Sequence, residues 1–377
     1  MHDIDKLILE HTEYITGLYR DIETRIIYSI IEMINKRGRI TGTAELSLQK
    51  LYDMNALDYE VLQEIASITG YPLQELEKSV EIITRGAIDY ETLNKAYDKG
   101  LILTNPESVV LQGIINDTLK YINGDMKQVR TTVEQYVIKD FKRTVDKYLI
   151  ETELGTMTES EAVIETVKEL ASKGITSATY KRTNKDGTQS TVQMGLEPYM
   201  RRMIRTEFVK TSAEANMEVV EQLDTKHYYV SQHVGARDKG KGYENHESWQ
   251  NGVYTKEELH TVCGYGEMLG LNGINCRHIM FPYIKGVSVP PPPKIDTEEN
   301  NRVYELQQLQ RKYERDIRAT KREINALELL DLEDKNDSLN RSKQRLKKQQ
   351  ARIRQLIKDN QDVLRRDYAR EKVVDVK

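Results

Sequence analysis

Ten apolar residues near the start of the chain, Leu7, Ile8, Ile15, Leu18, Tyr19, Ile22, Ile26, Ile27, Ile30 and Ile31, recur at intervals of three and four. That spacing lines them along one face of a helix with 3.6 residues per turn, so the segment predicts a long amphipathic helix that must bury one side. The glycines of NKRGRITG (35–42) interrupt the rhythm. Shorter helices are expected over 57–70 and 71–87, each closed by Gly, the residue best suited to the position after a helix C-cap. Asn105-Pro106 reads as a further helix start. Met126 to Glu151 reads as one long amphipathic helix, and TMTESEAVIETVKELASKG (156–174) as another, capped by Thr or Ser. Residues 1–173 are therefore expected to form a helical domain, either a bundle without chemistry or a docking surface.

The pattern changes at residue 174. ITSATYKRTNKDGTQSTVQMG alternates β-branched and polar residues around Asn184-Lys185-Asp186-Gly187, which predicts a hairpin. A helix with Ile204, Phe208, Ala215 and Val219 on its apolar face follows, then a strand at HYYVSQH (227–233). A small, loop-rich α+β domain is expected over 174–288. Four consecutive prolines, Pro290–Pro293, favour a stiff extended linker over 289–297. Beyond it, Leu306, Leu309, Tyr313, Ile317, Ile324 and Leu327 keep a three/four rhythm that returns at Leu346, Ile353, Ile357 and Leu364. With turn-forming LDLEDKNDS between the two runs, residues 298–377 predict an antiparallel helical hairpin of coiled-coil type. The fold class is thus α+β with long helical flanks.

Charge narrows the function classes. The net charge is −4, so the molecule as a whole offers no electrostatic case for nucleic acid. The local exception is residues 341–354, where Arg341, Lys343, Arg345, Lys347, Lys348, Arg352 and Arg354 occur without an acidic residue. They could lie on DNA phosphates or pair with the acidic first arm of the hairpin. No apolar run approaches the roughly 18 residues needed to cross a bilayer, and MHDIDKLILEHTEY lacks a signal-peptide pattern. Two cysteines in 377 residues point to a reducing compartment, and the expectation is a soluble intracellular protein.

The rare side chains crowd into one region. Five of the seven histidines lie between His227 and His278, together with both cysteines and the single tryptophan, Trp249. His233, His246, Cys276 and His278 would supply three nitrogens and one sulfur, a set that suits tetrahedral Zn²⁺, with Cys263 as another sulfur. The spacing is not that of a zinc finger. His246-Glu247 could serve a metal-dependent hydrolase, but no second carboxylate stands at a spacing that would hold a metal opposite it. The remaining reading is a polar knot in which these side chains hydrogen-bond one another around Trp249. Phosphate-binding loops of the form GxxxxGK[ST], GxGxxG turns and GxSxG elbows are absent from the sequence.

MIRTE (203–207), SQHVGARDKG…HESWQNGVY (231–254) and CGYGEMLGLNGINCRH…FPYIKGVS (263–288) together resemble the phage minor capsid protein family, related to the Mu F-type head morphogenesis proteins. The resemblance runs from about Tyr199 to Ser288. It rests on His233, Gly235-Ala236-Arg237, His246, Trp249-Gln250 and Asn275-Cys276-Arg277-His278. The loop DKGKGYEN before His246 is longer than the family pattern. The resemblance implies a non-enzymatic virion protein, present in few copies at the portal vertex, inside the capsid. It would act in head assembly and in DNA packaging, retention or delivery, meeting portal and major capsid or scaffold protein in the host cytoplasm during assembly. Arg205, Glu207, Arg237, Trp249, Asn275 and Arg277 are then structural or interaction residues, with no catalytic residue and no membrane partner implied. The competing classes are a metal-dependent nuclease or hydrolase on the His/Cys cluster and a DNA-binding module on the basic arm.

Overall fold

A computed structural model describes residues 3–37, 71–183, 188–238 and 240–374. In chain order it contains α1 (Asp3–Arg37), α2 (Tyr71–Gly86), α3 (Tyr90–Asp98), α4 (Gln112–Glu153) and α5 (Glu159–Lys173). The hairpin β1 (Thr176–Thr183) and β2 (Gln189–Gly195) follows, then α6 (Leu196–Gln222) and β3 (His227–Val230). Next come α7 (His246–Trp249), β4 (Val253–Thr255), α8 (Lys256–Thr261), β5 (Met280–Pro282), α9 (Thr297–Leu329) and α10 (Asn336–Asp359). The chain is mostly helical with little, antiparallel sheet, as an α+β reading requires. Among the described residues no helix is long and apolar enough to cross a membrane.

The helical rhythm is realised where the sequence is periodic. Of the ten stripe residues of α1, all but the half-buried Leu7 and Leu18 are buried. Ile204, Phe208, Ala215 and Val219 of α6 are buried as expected. α5 begins with both halves of a capping box, Thr158 accepting from the Glu161 amide and Glu161 accepting from the Thr158 amide. One expectation is changed: Asn105-Pro106 opens only a 3₁₀ turn, Pro106–Ser108, and α4 then runs unbroken over 42 residues. Gly124 inside it costs about 1 kcal/mol relative to Ala. Buried Ile122 before it and buried Val137 and Phe141 after it outweigh that cost. The helix expected over 57–70, most of the break at 35–42 and the hairpin turn at 184–187 lie outside the described residues.

The chain forms two compact units, each assembled from three segments. The first comprises Met1–Thr16, Pro72–Asp125 and Met200–Leu306. Its sheet has the order β4-β3-β5, with Tyr228 opposite both Tyr254 and Pro282. The proline segment carries no regular structure and is strapped to this unit: Gln232 and Asn251 side-chain amides each donate to a proline carbonyl, Pro293 and Pro292, at 2.6 Å.

The second unit comprises Gly17–Tyr71, Met126–Tyr199 and Gln307–Lys377. In the hairpin Thr183 faces Gln189, and the register shifts between Thr176 and Ala178. Its interior is ionic as well as apolar. Buried Glu23 accepts from the Ile175 amide at 2.8 Å and pairs with Arg322 at 3.3 Å. Arg322 also donates to the carbonyls of Ala171 and Ser172, so one guanidinium caps the C-terminal turn of α5, the negative end of its dipole. Gly174 completes this corner: it holds φ +72°, and a Cβ there would lie 2.5 Å from a Glu23 oxygen. Arg318 donates to both oxygens of buried Glu197, at 2.9 and 2.7 Å. Between α9 and α10, Glu323 accepts from Ser342 at 2.6 Å and pairs with Arg345, and Glu328 pairs with Lys343 at 2.7 Å.

Burial raises the Glu23 carboxyl above its usual range, and the Arg322 charge is the main opposing influence. Arg322→Met is therefore expected to cost about 3–5 kcal/mol, because it leaves that carboxylate buried without its cation. Adding Glu23→Gln should recover part of the loss. Urea unfolding of the wild type, both single variants and the double variant, followed by circular dichroism, measures the coupling. Simple additivity would contradict it.

Candidate functional site

The region that gathers the rare residues is loop held by specific ties. After β3 the chain turns at Ser231–Ala236, where the Asn300 side-chain oxygen accepts from the amides of Gly235 and Ala236 at 2.7 and 2.9 Å. The Asn300 amide returns a bond to the Ala236 carbonyl at 3.0 Å. Asn245 then caps the single turn of α7 through the Ser248 amide, and the Glu247 amide reaches back to the Arg237 carbonyl at 3.0 Å. Residues 263–276 fold on themselves, with Leu271 N–H to Cys263 O and Ile274 N–H to Met268 O both at 2.8 Å. A Cβ at Gly270 would lie 2.0 Å from the Gly264 carbonyl oxygen, so the glycine is sterically required. Asn272 and Asn275 hold φ near +60°, a conformation Asn tolerates better than most residues.

Into this frame project His246, Trp249, Cys276 and His278, all buried. Trp249, Cys263 and Cys276 share an apolar cluster with Val220, Tyr228, Leu259, Leu271 and Met280. The rings pack as a group: His246–Trp249 at 4.6 Å, Trp249–His278 at 4.8 Å and His233–His278 at 4.4 Å between centroids. The N–H and S–H donors of these side chains find acceptors. Trp249 Nε1 donates to the Tyr243 carbonyl at 2.9 Å, and His246 Nε2 donates to the Leu269 carbonyl at 2.8 Å. His278 Nε2 donates to Gln250 Oε1 at 3.1 Å, and the same oxygen accepts from the His233 amide. The Cys276 thiol donates to His278 Nδ1 at 3.4 Å. Arg237 spans the fold, donating to the carbonyls of Leu269 and Ile274, both at 2.9 Å.

Burial sets the protonation states. It lowers His233 to about 3, helped by the Arg277 charge, and lowers His246 to about 4. His278 is pushed well below the usual imidazole range by burial and by His233. Burial raises the Cys276 thiol, and Cys263 rises to about 12. At neutral pH the cluster is three neutral imidazoles and two thiols. A buried, protonated Cys276 is a poor nucleophile.

Of the four residues expected to bind a metal, three converge: His246, Cys276 and His278 each offer a ligand atom, all within 4.8 Å of one another. His233 stacks on His278 but stands outside that set. Glu207 pairs with Lys210 at 3.0 Å. Partly buried Arg205 and Arg277 act on the cluster through their charge. Asn275 is exposed and serves the turn. Gln250, which sequence reasoning placed in the family motif without a role, and Asn300, which it left out, emerge as organising residues; Asn300 lies in a charged helical stretch with nothing local to mark it. The seven basic residues at 341–354 are all exposed, with Arg345 and Lys343 engaged by Glu323 and Glu328 and Arg341 bonded to Ser338.

Comparison with known proteins gives a consistent picture. The family model described as phage minor capsid protein 2 matches residues 5–358. A "structural protein" of Lactococcus phage LL-H is 24% identical over 377 residues, covering 94% of this chain and 98% of that protein. A "structural protein" of Lactococcus phage mv4 is 37% identical over 116 residues, 30% of this chain and 89% of that protein. No solved structure matches at a significant level.

The buried imidazoles carry a pH dependence with a definite sign. His246 is lowered from 6.5 to about 4 on folding, so unfolding takes up a proton between those values. Its contribution is complete above pH 6.5 and is lost as pH falls toward 4, on the order of 3 kcal/mol. Denaturation followed through the fluorescence of the single Trp249 should show a midpoint that drops steadily across that window. A flat profile would contradict a neutral, buried His246.

Proposed function

The chain belongs to the phage minor capsid protein 2 family, and from that premise we propose that it is a few-copy head protein that docks at the portal vertex. There it assists head assembly and the packaging, retention or delivery of DNA. It resides inside the capsid in the virion and in the host cytoplasm during assembly, with portal and major capsid or scaffold protein as partners. The observation that carries this reading is the family match along nearly the whole chain, not a short motif. The site's chemistry agrees with it. Its titratable groups are buried, neutral and hydrogen-bonded, which suits a rigid docking head better than a hydrolase.

The portal-facing surface in this reading belongs to the helical N-terminal part. Tyr97, Leu101, Leu103 and Val110 are large apolar side chains left exposed there, Leu103 at 91%. A cluster of this kind on one short stretch is the usual mark of a protein contact. The C-terminal helices act as a coiled-coil hairpin whose second arm meets DNA. The supporting feature is that Lys347, Lys348, Arg352 and Arg354 are exposed.

One preparation of purified particles tests all three points. Quantitative mass spectrometry should count a few copies of this chain against portal and major capsid protein. Lysine-directed cross-links should join Lys99, beside the exposed apolar stretch, to portal. Ultraviolet cross-linking should attach DNA to peptides within 341–354. Absence of the chain from heads and proheads would overturn the head-protein reading. Cross-links from Lys99 to other proteins alone, or protein-only peptides at 341–354, would overturn the portal or DNA assignment separately.

A further inference from the structure

We propose that Cys276, His246 and His278 are the protein ligands of one transition-metal ion of zinc's class, held inside the first unit, with His233 completing the fourth corner. The inference goes beyond the head-protein reading and does not depend on it.

Geometry is the first support. The three ligand atoms come from two separate turns, α7 and the turn before β5, yet lie within 4.8 Å of one another. In a tetrahedral zinc site with bonds of about 2.3 Å to sulfur and about 2.0 Å to nitrogen, the sulfur–nitrogen edge is about 3.5 Å. Cys276 Sγ and His278 Nδ1 already stand 3.4 Å apart. The other edges among these three atoms are at most 4.8 Å and close by side-chain rotation, and His233 swings in from its stack on His278.

The outer contacts are the second support. Metal-binding histidines characteristically donate their other ring N–H to a carbonyl or similar acceptor, which fixes tautomer and orientation. His246 does so to the Leu269 carbonyl and His278 to Gln250 Oε1, both through Nε2. The nitrogen left with a lone pair is Nδ1 in each ring. His233 is arranged the other way: its Nδ1 faces the Val234 carbonyl, so Nε2 is the nitrogen that would bind, on a ring 4.4 Å from that of His278. The acceptors are themselves anchored, Leu269 by Arg237 and Gln250 by the His233 amide.

Binding is balanced by one proton. The Cys276 S–H···Nδ1 hydrogen bond to His278 breaks, the thiol proton leaves to solvent, and sulfur and the three imidazoles each form one bond to the ion. The charges of Arg237 and Arg205 favour the thiolate this creates and oppose the ion itself. Neutral imidazoles need lose nothing.

The test uses the full-length chain. Protein purified without added metal and analysed by mass spectrometry should carry close to one zinc per chain. Exchange for Co²⁺ should produce a thiolate-to-cobalt charge-transfer band in the near ultraviolet. The band should persist in Cys263→Ser, which removes the other buried thiol, and vanish in Cys276→Ser. Gln250→Leu, an outer-contact change, should weaken metal binding about 10–100-fold while keeping the band. His233→Ala should weaken binding and also keep it. Folded wild-type protein without metal and without a cobalt band would overturn the proposal, whether or not Cys276→Ser folds. A band lost in Cys263→Ser but retained in Cys276→Ser would overturn it too.

Discussion

The carbonyl of Leu269 accepts from Arg237 and from His246, and the loop-rich half of the first unit depends on that shared acceptor. The segment from Ser231 to Ile279 has few residues in regular structure, so its backbone cannot satisfy itself through ladders. Side chains must do so instead. Arg237 takes two carbonyls, Asn300 takes two amides and a carbonyl, and Gln250 ties His278 to the His233 amide. Because each tie fixes two loops at once, removing one leaves several buried polar groups without partners. Each such group costs about 1–3 kcal/mol.

The second unit meets a related demand with full charges. Arg322 satisfies the carbonyls ending α5 and neutralises Glu23, while Arg318 neutralises Glu197. Burying such pairs gains little net stability, because desolvation offsets the attraction. Their effect is on which arrangement forms: a misplaced helix would leave a buried carboxylate alone. The ionic interior thus specifies partners for α1, α5 and α9 residues that apolar stripes alone would accept in several registers.

How legible this was from sequence follows from the range of each signal. Ile15, Ile26 and Ile31 repeat within one helix, so their burial could be read directly. The hairpin strands alternate along their own length and could be read too. β4 and β5 are three residues each and exist through pairing with β3, so nothing in their own pattern marks them. That Gln112–Glu153 is one helix follows from burial on both sides of Gly124, at Ile122, Val137 and Phe141, which is invisible locally. In the site, crowding of His, Cys and Trp was visible, and so was the family resemblance that the whole-chain match supports. Which three residues converge was not, because Cys276 and His278 meet His246 only after the glycine turns close. His233, expected as the third nitrogen of the metal set, stacks on His278 at 4.4 Å and is not among the three whose ligand atoms lie within 4.8 Å of one another.

The choice of histidine in this core has a physical logic. A phenylalanine at 246 would fill similar space against Trp249 but leave the Leu269 carbonyl with one donor fewer. Arginine or lysine would supply the donor and bring a charge into a site already ringed by Arg205, Arg237 and Arg277. A neutral imidazole does both tasks, stacking as an aromatic and donating as an amide would, provided the environment keeps it uncharged. The arginines and the burial supply that condition. The same condition keeps one nitrogen of each ring unprotonated, that of His278 accepting from the Cys276 thiol, so a core that uses histidines as polar aromatics is, by its construction, close to a metal-binding one.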